Sequence, residues 1–362
     1  MDALQPDVLV VNEMTSQVAV GRFNNNVLNP DEYGRTIYTA GFSRDVVCYF
    51  RKALFEQVSS HITATDGRDI MTFGLKYLKD PNAPVLYLSG IHLKAGSEYA
   101  VERGSEIVPY VDMVTSDRRD DNVLLCGDLN VYGAGEPAYQ ALLTDSLFYD
   151  PLDATAEWHA DSKYAYLHTQ STRYGRLSDD GSYGGMDDRF DFILASRRFN
   201  RPSKSGWTLL DGSYKAYGQD GGHYRKSVNY PANSNKAVPV EVADALYYAS
   251  DHLPVTVQLL YQHSTDDVRS EANPPSTPAL VNAYPNPFNG TVTIEVVCRT
   301  TLDGLLTIYN LEGQTVENLA VGGFNRGLNR YSWAPKTIPA GVYWAVFELG
   351  GTQLYKQITL LK

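Results

Sequence analysis

The sequence predicts a layered α/β domain followed by a small antiparallel β-sandwich. Three observations predict it. The chain has 362 residues, about twice what one hydrophobic core organises, so two domains are expected. Its longer first part alternates apolar strand-like runs with helical stretches, whereas its end is made of short alternating runs separated by Gly, Asn and Pro. Between the two, residues 262–278 read QHSTDDVRSEANPPSTP, a polar stretch with three prolines and no hydrophobic periodicity. The predicted organisation is therefore a domain over 1–261, a linker over 262–279 and a β-domain over 280–362.

In chain order, the predicted strands of the first domain are Val8 to Val11, Val46 to Tyr49, Val85 to Leu88, Val123 to Cys126, Phe190 to Ala195 and Leu253 to Leu260. Helical patterns cover Glu98 to Val114 and Val240 to Ala249. The stretch from Gly212 to Pro239, rich in Gly, Asn, Tyr and Ser, reads as a long loop of the kind that is usually functional or mobile. In the second domain the runs Thr291 to Val297, Gly304 to Tyr309, Asn329 to Trp333, Val342 to Leu349 and Thr352 to Leu360 have the spacing of a small β-sandwich.

Composition excludes several classes. With 43% hydrophobic and 20% charged residues, the chain is neither disordered nor collagen-like. No apolar run approaches the roughly 18 residues that a membrane span needs, so no transmembrane segment is expected. Lys and Arg number 31 against 42 acids, a net charge of −11, which does not advertise a polyanion binder. The acidity lies before the β-domain: residues 278–362 carry 6 basic and 5 acidic side chains, leaving 25 against 37 in residues 1–277. Such a surplus is usually solvated surface, or it includes carboxylates gathered around a divalent cation. Cys48, Cys126 and Cys298 are odd in number, widely spaced and fit no metal-binding pattern; the first two lie in strand-like runs, as buried thiols would.

Five apolar runs carry or adjoin a carboxylate, amide or histidine, as if a sheet presented polar groups at the ends of its strands. Val8 to Val11 leads into Asn12-Glu13, the run to Ile91 into His92, and Leu124 to Gly127 into Asp128-Leu129-Asn130. Arg189-Phe190-Asp191 places an acid in a strand, and Ser250-Asp251-His252-Leu253-Pro254 opens the last one. Singly, each has an ordinary reading: Glu13 as a helix N-terminal charge, His92 as a satisfied or surface histidine, Asp128 and Asn130 as turn residues, Asp251 as a cap.

Together and in this order, these segments resemble the endonuclease/exonuclease/phosphatase superfamily, whose members include pancreatic deoxyribonuclease, exonuclease III and neutral sphingomyelinases. The resemblance runs from about Asp7 to Leu260, and Gly-Asp-Leu-Asn and Ser-Asp-His-Leu-Pro are its most specific parts. It implies a four-layer α/β sandwich, two facing mixed sheets flanked by helices, with the site in the cleft above the sheets. The reaction it implies is attack of water on a phosphate ester. Glu13 and Asp251 would hold Mg²⁺ or Mn²⁺, with Ca²⁺ an alternative, since such ions prefer oxygen ligands. Asp128 would orient and deprotonate the water, and Asn130 would donate to a phosphoryl oxygen. His252 would contact the phosphate, with Asp191 bonding its other ring nitrogen. His92 matches the second histidine of the deoxyribonuclease branch, where it is a candidate acid for the leaving oxygen.

Two further segments carry open readings. Between Tyr164 and Asp191, His168 and Arg173 would meet flanking phosphates on a substrate rim, or belong to a hydrogen-bonded loop, which is the favoured reading. His223, Tyr224, Arg225 and Lys226 in the 212–239 loop mix charge and aromatic faces in a way that suits a nucleic acid, or form a solvated insertion. Members of the superfamily normally begin with a strand ending in Trp-Asn or similar. Nothing before Asp7 matches it, and no export signal is visible, so the chain is read as shortened at its N-terminus.

The segment Asn282 to Asn289, with Gly304 to Tyr309, Gly341 to Trp344 and Lys356 to Lys362, resembles the C-terminal sorting domain of type IX secretion substrates, an immunoglobulin-like β-sandwich. The implied partner is the type IX machinery, and the implied location is the cell surface or the medium. The function expected from both resemblances is a secreted, metal-dependent phosphodiesterase, most simply a nuclease acting on extracellular DNA or RNA. A phosphomonoesterase or sphingomyelinase-like lipid phosphodiesterase is the alternative enzyme, and a non-catalytic surface-binding protein the alternative of another class.

Overall fold

The structure, a computed structural model, describes residues 3–38, 46–200, 206–262, 279–298, 301–310, 313–325, 327–349 and 352–361. The chain forms two compact units, Met1–Thr265 and Asp266–Lys362. The linker expected over 262–279 lies, apart from its two end residues, outside the described residues.

The strands of the first unit are β1 (Val8–Val11), β2 (Tyr33–Arg35), β3 (Val47–Arg51), β4 (Phe55–Thr63), β5 (Ile70–Tyr77), β6 (Leu86–His92), β7 (Asn122–Asp128), β8 (Phe148–Tyr149), β9 (Asp191–Ser196), β10 (Gly206–Leu209), β11 (Lys215–Ala216), β12 (Val255–Thr256) and β13 (Leu259–Gln262). Its helices are α1 (Gln17–Asn26), α2 (Ala100–Asp117), α3 (Pro137–Leu143) and α4 (Val240–Ala249). One sheet has the order β1-β3-β2 and the other β4-β5-β6-β7-β9-β8. The larger sheet is mixed, β6 and β7 running parallel while β4–β5, β5–β6 and β7–β9 are antiparallel.

Side-chain alternation along the strands builds the layers. On β3, Val47 and Tyr49 pack with Val20 and Phe23 of α1, while Cys48 and Phe50 face the larger sheet. On β7, Leu124 and Cys126 join that inter-sheet core, while Val123 and Leu125 pack against α2 and α3 through Ile107, Tyr110, Ala138 and Tyr139. The order of layers is thus α1, small sheet, large sheet, α2 with α3: the four-layer sandwich. The sheets come close enough that a Cβ on Gly90 would lie 2.1 Å from Val46 Cγ1. Each fully buried Leu, Val or Phe in these cores contributes about 1.5–3 kcal/mol.

One expectation changes. The run Leu253 to Leu260 is broken: β12 pairs with β11, and β13 pairs with β10. Two separate partners replace the single strand that the apolar run predicted. The small sheet, in turn, has β1 at its edge.

The second unit has β14 (Ala279–Tyr284), β15 (Val292–Cys298), β16 (Leu302–Tyr309), β17 (Thr315–Phe324), β18 (Gly327–Trp333), β19 (Gly341–Leu349) and β20 (Thr352–Leu360). They form sheets β14-β15-β18 and β17-β16-β19-β20. Ile294 and Val296 of the first meet Leu306, Ile308, Ala345 and Phe347 of the second in one core, so the unit is a β-sandwich. Its opening motif is anchored to the last strand: Asn286 Nδ2 donates to Gln357 O, Thr359 N donates to Asn286 Oδ1, both at 2.8 Å, and Phe288 is buried in the core.

Candidate active site

Strand register aligns the predicted residues. His92 at the end of β6 is opposite Asp128 at the end of β7, which is opposite Asp191 at the start of β9. Parity places all three on one face: Leu86 and Leu88, Leu124 and Cys126, and Ile193 and Ala195 point into the inter-sheet core, and His92, Asp128 and Asp191 continue those rows. The carboxylates and the imidazole therefore stand at the rim of the inter-sheet layer. The small sheet faces them, and where β1 ends Glu13 brings Oε1 to 3.9 Å from His92 Nε2; that nitrogen is also 3.8 Å from Asp128 Oδ2.

The turn after β7 is held tightly. A Cβ on Gly127, at φ 138°, would lie 2.1 Å from Ile91 O, so glycine is required before Asp128. Asn130, in the left-handed region at φ 50°, donates its backbone N–H to Asp128 Oδ1 (2.7 Å). Its side-chain Nδ2 donates to Asp128 Oδ2 (2.9 Å) and to Leu93 O (3.0 Å). Both amide protons are thus engaged within the chain, so Asn130 holds Asp128, and donation from Nδ2 to a phosphoryl oxygen would require one of these bonds to be exchanged. Burial pushes the Asp128 carboxyl well above the usual carboxylate range; His252 and His92 oppose this and the Asp191 charge adds to it.

A distant segment brings the last two residues in. Leu253 N donates to Thr169 O and Thr172 N to Asp251 O, while Thr169 Oγ1 accepts from Phe190 N and Asp191 N. The 169–172 segment so ties the start of β9 to the Asp251-His252 turn. His252 Nδ1 lies 2.7 Å from Asp191 Oδ2. Burial alone disfavours the charged imidazole, but Asp191, with Asp128 and Asp251 nearby, raises its pKa well above the ordinary value. Asp251 Oδ2 accepts from Ser182 N at 2.7 Å and is 4.0 Å from His252 Nε2.

Sequence reasoning gave Gln170 no role, yet its Nε2 is 2.6 Å from His252 Nε2. The amide contacts the ring nitrogen opposite Asp191, the one that would meet a phosphate. Its place in the Leu167-to-Arg173 segment was the only available signal. Of the two readings of His168 and Arg173, burial supports the hydrogen-bonded loop over the substrate rim. His168 is fully buried with Nε2 2.8 Å from Trp158 O. Arg173, 2% exposed, donates to Tyr247 O and to Asp179. Neither reaches a rim. His223 is buried as well, between Asp220 (2.7 Å) and Ser234 (3.0 Å), so of the basic-aromatic cluster only the flanking residues remain outward.

The chemistry of the donor set allows a divalent cation. Among the described residues no three His, Cys, Asp or Glu side chains gather closely enough to hold a metal by themselves. Glu13, however, is 70% exposed, and the adjoining Asn12 Oδ1 is buried without a hydrogen-bond partner while its Nδ2 donates to Ile91 O. One carboxylate beside an orphaned amide oxygen suits a hard cation that keeps several waters. Asp251 is less suited, with one oxygen already engaged by Ser182.

Comparison with known proteins bears first on the second unit. Residues 282–360 match the family model of a secretion system C-terminal sorting domain. No curated protein matches the chain. Among solved structures, D. rerio TDP2 complexed with a single-strand DNA product is 16% identical, covering 72% of this chain and 88% of its own, at a TM-score of 0.48. The human Nocturnin catalytic domain with bound sulfate is 13% identical, with 72% and 83% covered and a TM-score of 0.45. A Bacteroides thetaiotaomicron mannosyl-6-phosphatase is 14% identical, with 72% and 88% covered and a TM-score of 0.42. Among the described residues, no helix is long and apolar enough to cross a membrane.

Proposed function

We propose that the first unit is a divalent-metal-dependent phosphodiesterase of the endonuclease/exonuclease/phosphatase superfamily, acting on nucleic acid outside the cell, and that the sorting-domain unit directs its export by the type IX machinery. The observation that carries this reading is the row His92, Asp128, Asp191 across three strand ends, with His252 seated on Asp191 and Glu13 facing it from the other sheet.

Each group has a use in ester hydrolysis. Asp128, oriented by Asn130 and raised in pKa by burial, is placed to take the proton of an attacking water near neutral pH. His252, whose pKa the contact with Asp191 raises, would donate from Nε2 to a phosphoryl oxygen once it is protonated there and Gln170, whose amide nitrogen faces that atom, yields the position. His92 lies between Glu13 and Asp128, from where it would donate a proton to the leaving oxygen. Glu13, with Asn12 Oδ1 beside it, would hold Mg²⁺ or Mn²⁺, and Asp251 would contribute at most its remaining oxygen. When bound, such an ion offsets the charge that builds on the phosphoryl oxygens.

The test is nicking of supercoiled plasmid, with bis-p-nitrophenyl phosphate alongside, in Mg²⁺ or Mn²⁺ with and without chelator. Metal-dependent nicking is expected. Hydrolysis of the small diester alone would move the substrate to lipids or small phosphoesters, and silence on both by folded protein would favour a binding scaffold. His92→Ala is expected to lower kcat by about 100-fold while metal affinity, measured by calorimetry, stays within a few-fold. Unchanged turnover would retire His92 as the acid.

A further inference from the structure

Another histidine–aspartate pair, half-exposed unlike the buried His223–Asp220 one, lies beyond Gln170 and has no part in the chemistry above. His159 Nδ1 is 2.6 Å from Asp188 Oδ1; the imidazole is 50% exposed and the carboxylate 11%. With Nδ1–H donated to Asp188, Nε2 points away from that bond, and the half-exposed ring can present an N–H there to an anionic ligand only when it also carries a proton on Nε2. The ring is held from several sides. Trp158 before it is fully buried, with Nε1 donating to Val131 O. His159 N donates to Tyr132 O, and the Tyr132 ring meets the imidazole edge-on at 4.9 Å between centroids. Tyr132 follows Asn130 by two residues, so this pair is built on the same turn as Asp128.

A cation is held by Asp187, the residue before Asp188. Arg225, 56% exposed, donates Nε to Asp187 Oδ2 at 3.2 Å. Burial pushes the Asp188 carboxyl up to about 6; His159 pulls it down, the Asp187 charge adds to the rise and Arg225 opposes it. Asp188 and His252 bridge to Gln170 from its two sides, which separates them by about two strand spacings, or ~10 Å. That distance is within reach of the next phosphate along a nucleic-acid strand. A half-exposed imidazole that donates from Nε2 when protonated, an arginine with guanidinium donors beyond its Nε bond to Asp187, and a flanking tyrosine suit a phosphate better than a neutral group.

We propose that His159, held by Asp188, and Arg225, held by Asp187, form a subsite for the phosphate neighbouring the scissile one in a nucleic-acid strand. The subsite rests on the phosphodiesterase reading and sharpens it, because a monoester or a small diester has no second phosphate to place there.

The test uses the full chain with Mg²⁺ and His252→Ala to slow turnover, and reads the Kd of a fluorescent hexanucleotide by anisotropy over a salt series, with a mononucleotide in parallel. Arg225→Ala is expected to weaken hexanucleotide binding about tenfold and to flatten the log Kd against log salt slope by about 0.7, one released counterion on a single strand. Arg225→Lys restores the slope. His159→Ala weakens hexanucleotide binding several-fold, and in every variant the mononucleotide Kd stays within twofold. A structural role alone would not move the salt slope. Hexanucleotide Kd and slope unmoved in both alanine variants, with bis-p-nitrophenyl phosphate still hydrolysed by the wild type, would overturn the subsite and leave the phosphodiesterase standing. Failure of the wild type to hydrolyse any phosphoester overturns both.

Discussion

His252→Ala is expected to lower kcat for phosphodiester hydrolysis by about 10²–10⁴-fold, the range that a positioned proton donor supplies. The effect is large because the ring is charged by its surroundings: Asp191 Oδ2 is 2.7 Å from Nδ1, and the negative charge of Asp128 and Asp251 adds to it. Asp191→Asn removes that support while keeping the shape, so it should approach the His252→Ala loss and also narrow the pH range over which the ring stays protonated. Steady-state kinetics on bis-p-nitrophenyl phosphate, with circular dichroism to show that both variants are folded, checks this. The KM should move little, because the interaction is made with charge that develops on the phosphoryl oxygens. Turnover within twofold of wild type in His252→Ala would remove the histidine from the reaction.

What the sequence disclosed follows from locality. Glu13, His92 and Asp128 each close a short apolar run, so the pattern that predicts the strand also places the residue at its end. Register then does what sequence cannot, aligning His92, Asp128 and Asp191 across strand ends far apart in the chain, with β9 passing over β8 to pair with β7. The strands β4 and β5 were not anticipated. Phe55–Thr63 is polar and largely exposed, with no alternation to reveal it, and its place in the sheet comes from pairing with β5. His168 and Arg173 carried a rim reading beside the favoured loop one because they are polar and lie near Gly-rich sequence. They are buried because Trp158 O, Tyr247 O and Asp179, none of them predictable from spacing, satisfy them. Gln170 and the His159–Asp188 pair escaped for the same reason: their partners are 82 and 29 residues away. Gly-Asp-Leu-Asn was the most legible motif, yet even there the engagement of both Asn130 amide protons is a property of the folded turn.

Asp150→Ala is expected to destabilise the first unit by about 3–5 kcal/mol, the cost of leaving one member of a buried ion pair without its partner. Arg189 and Asp150 are 1% and 3% exposed and meet through two bonds of 2.7 and 2.9 Å. The same carboxylate accepts from Tyr139 Oη and Leu152 N, so the substitution also strands those donors. Arg189 packs over Phe192 at 4.2 Å and precedes Phe190-Asp191, so the strand that carries the His252 partner loses its anchor. Urea unfolding followed by hydrogen exchange at the β9 amides reads the effect in this unit rather than in the sorting-domain unit. The pair also fixes a direction for pH dependence. Burial alone would raise the Asp150 carboxyl, but Arg189 holds it below the usual carboxylate value. A depressed folded pKa means that the stabilisation is complete above the unfolded carboxylate value of about 3.9 and is lost as pH falls through the lower folded one. The wild type should therefore lose stability steeply below about pH 4, and Asp150→Asn, which cannot ionise, should start lower and show a shallower slope over that interval. Equal slopes would show that the pair contributes no proton linkage to folding.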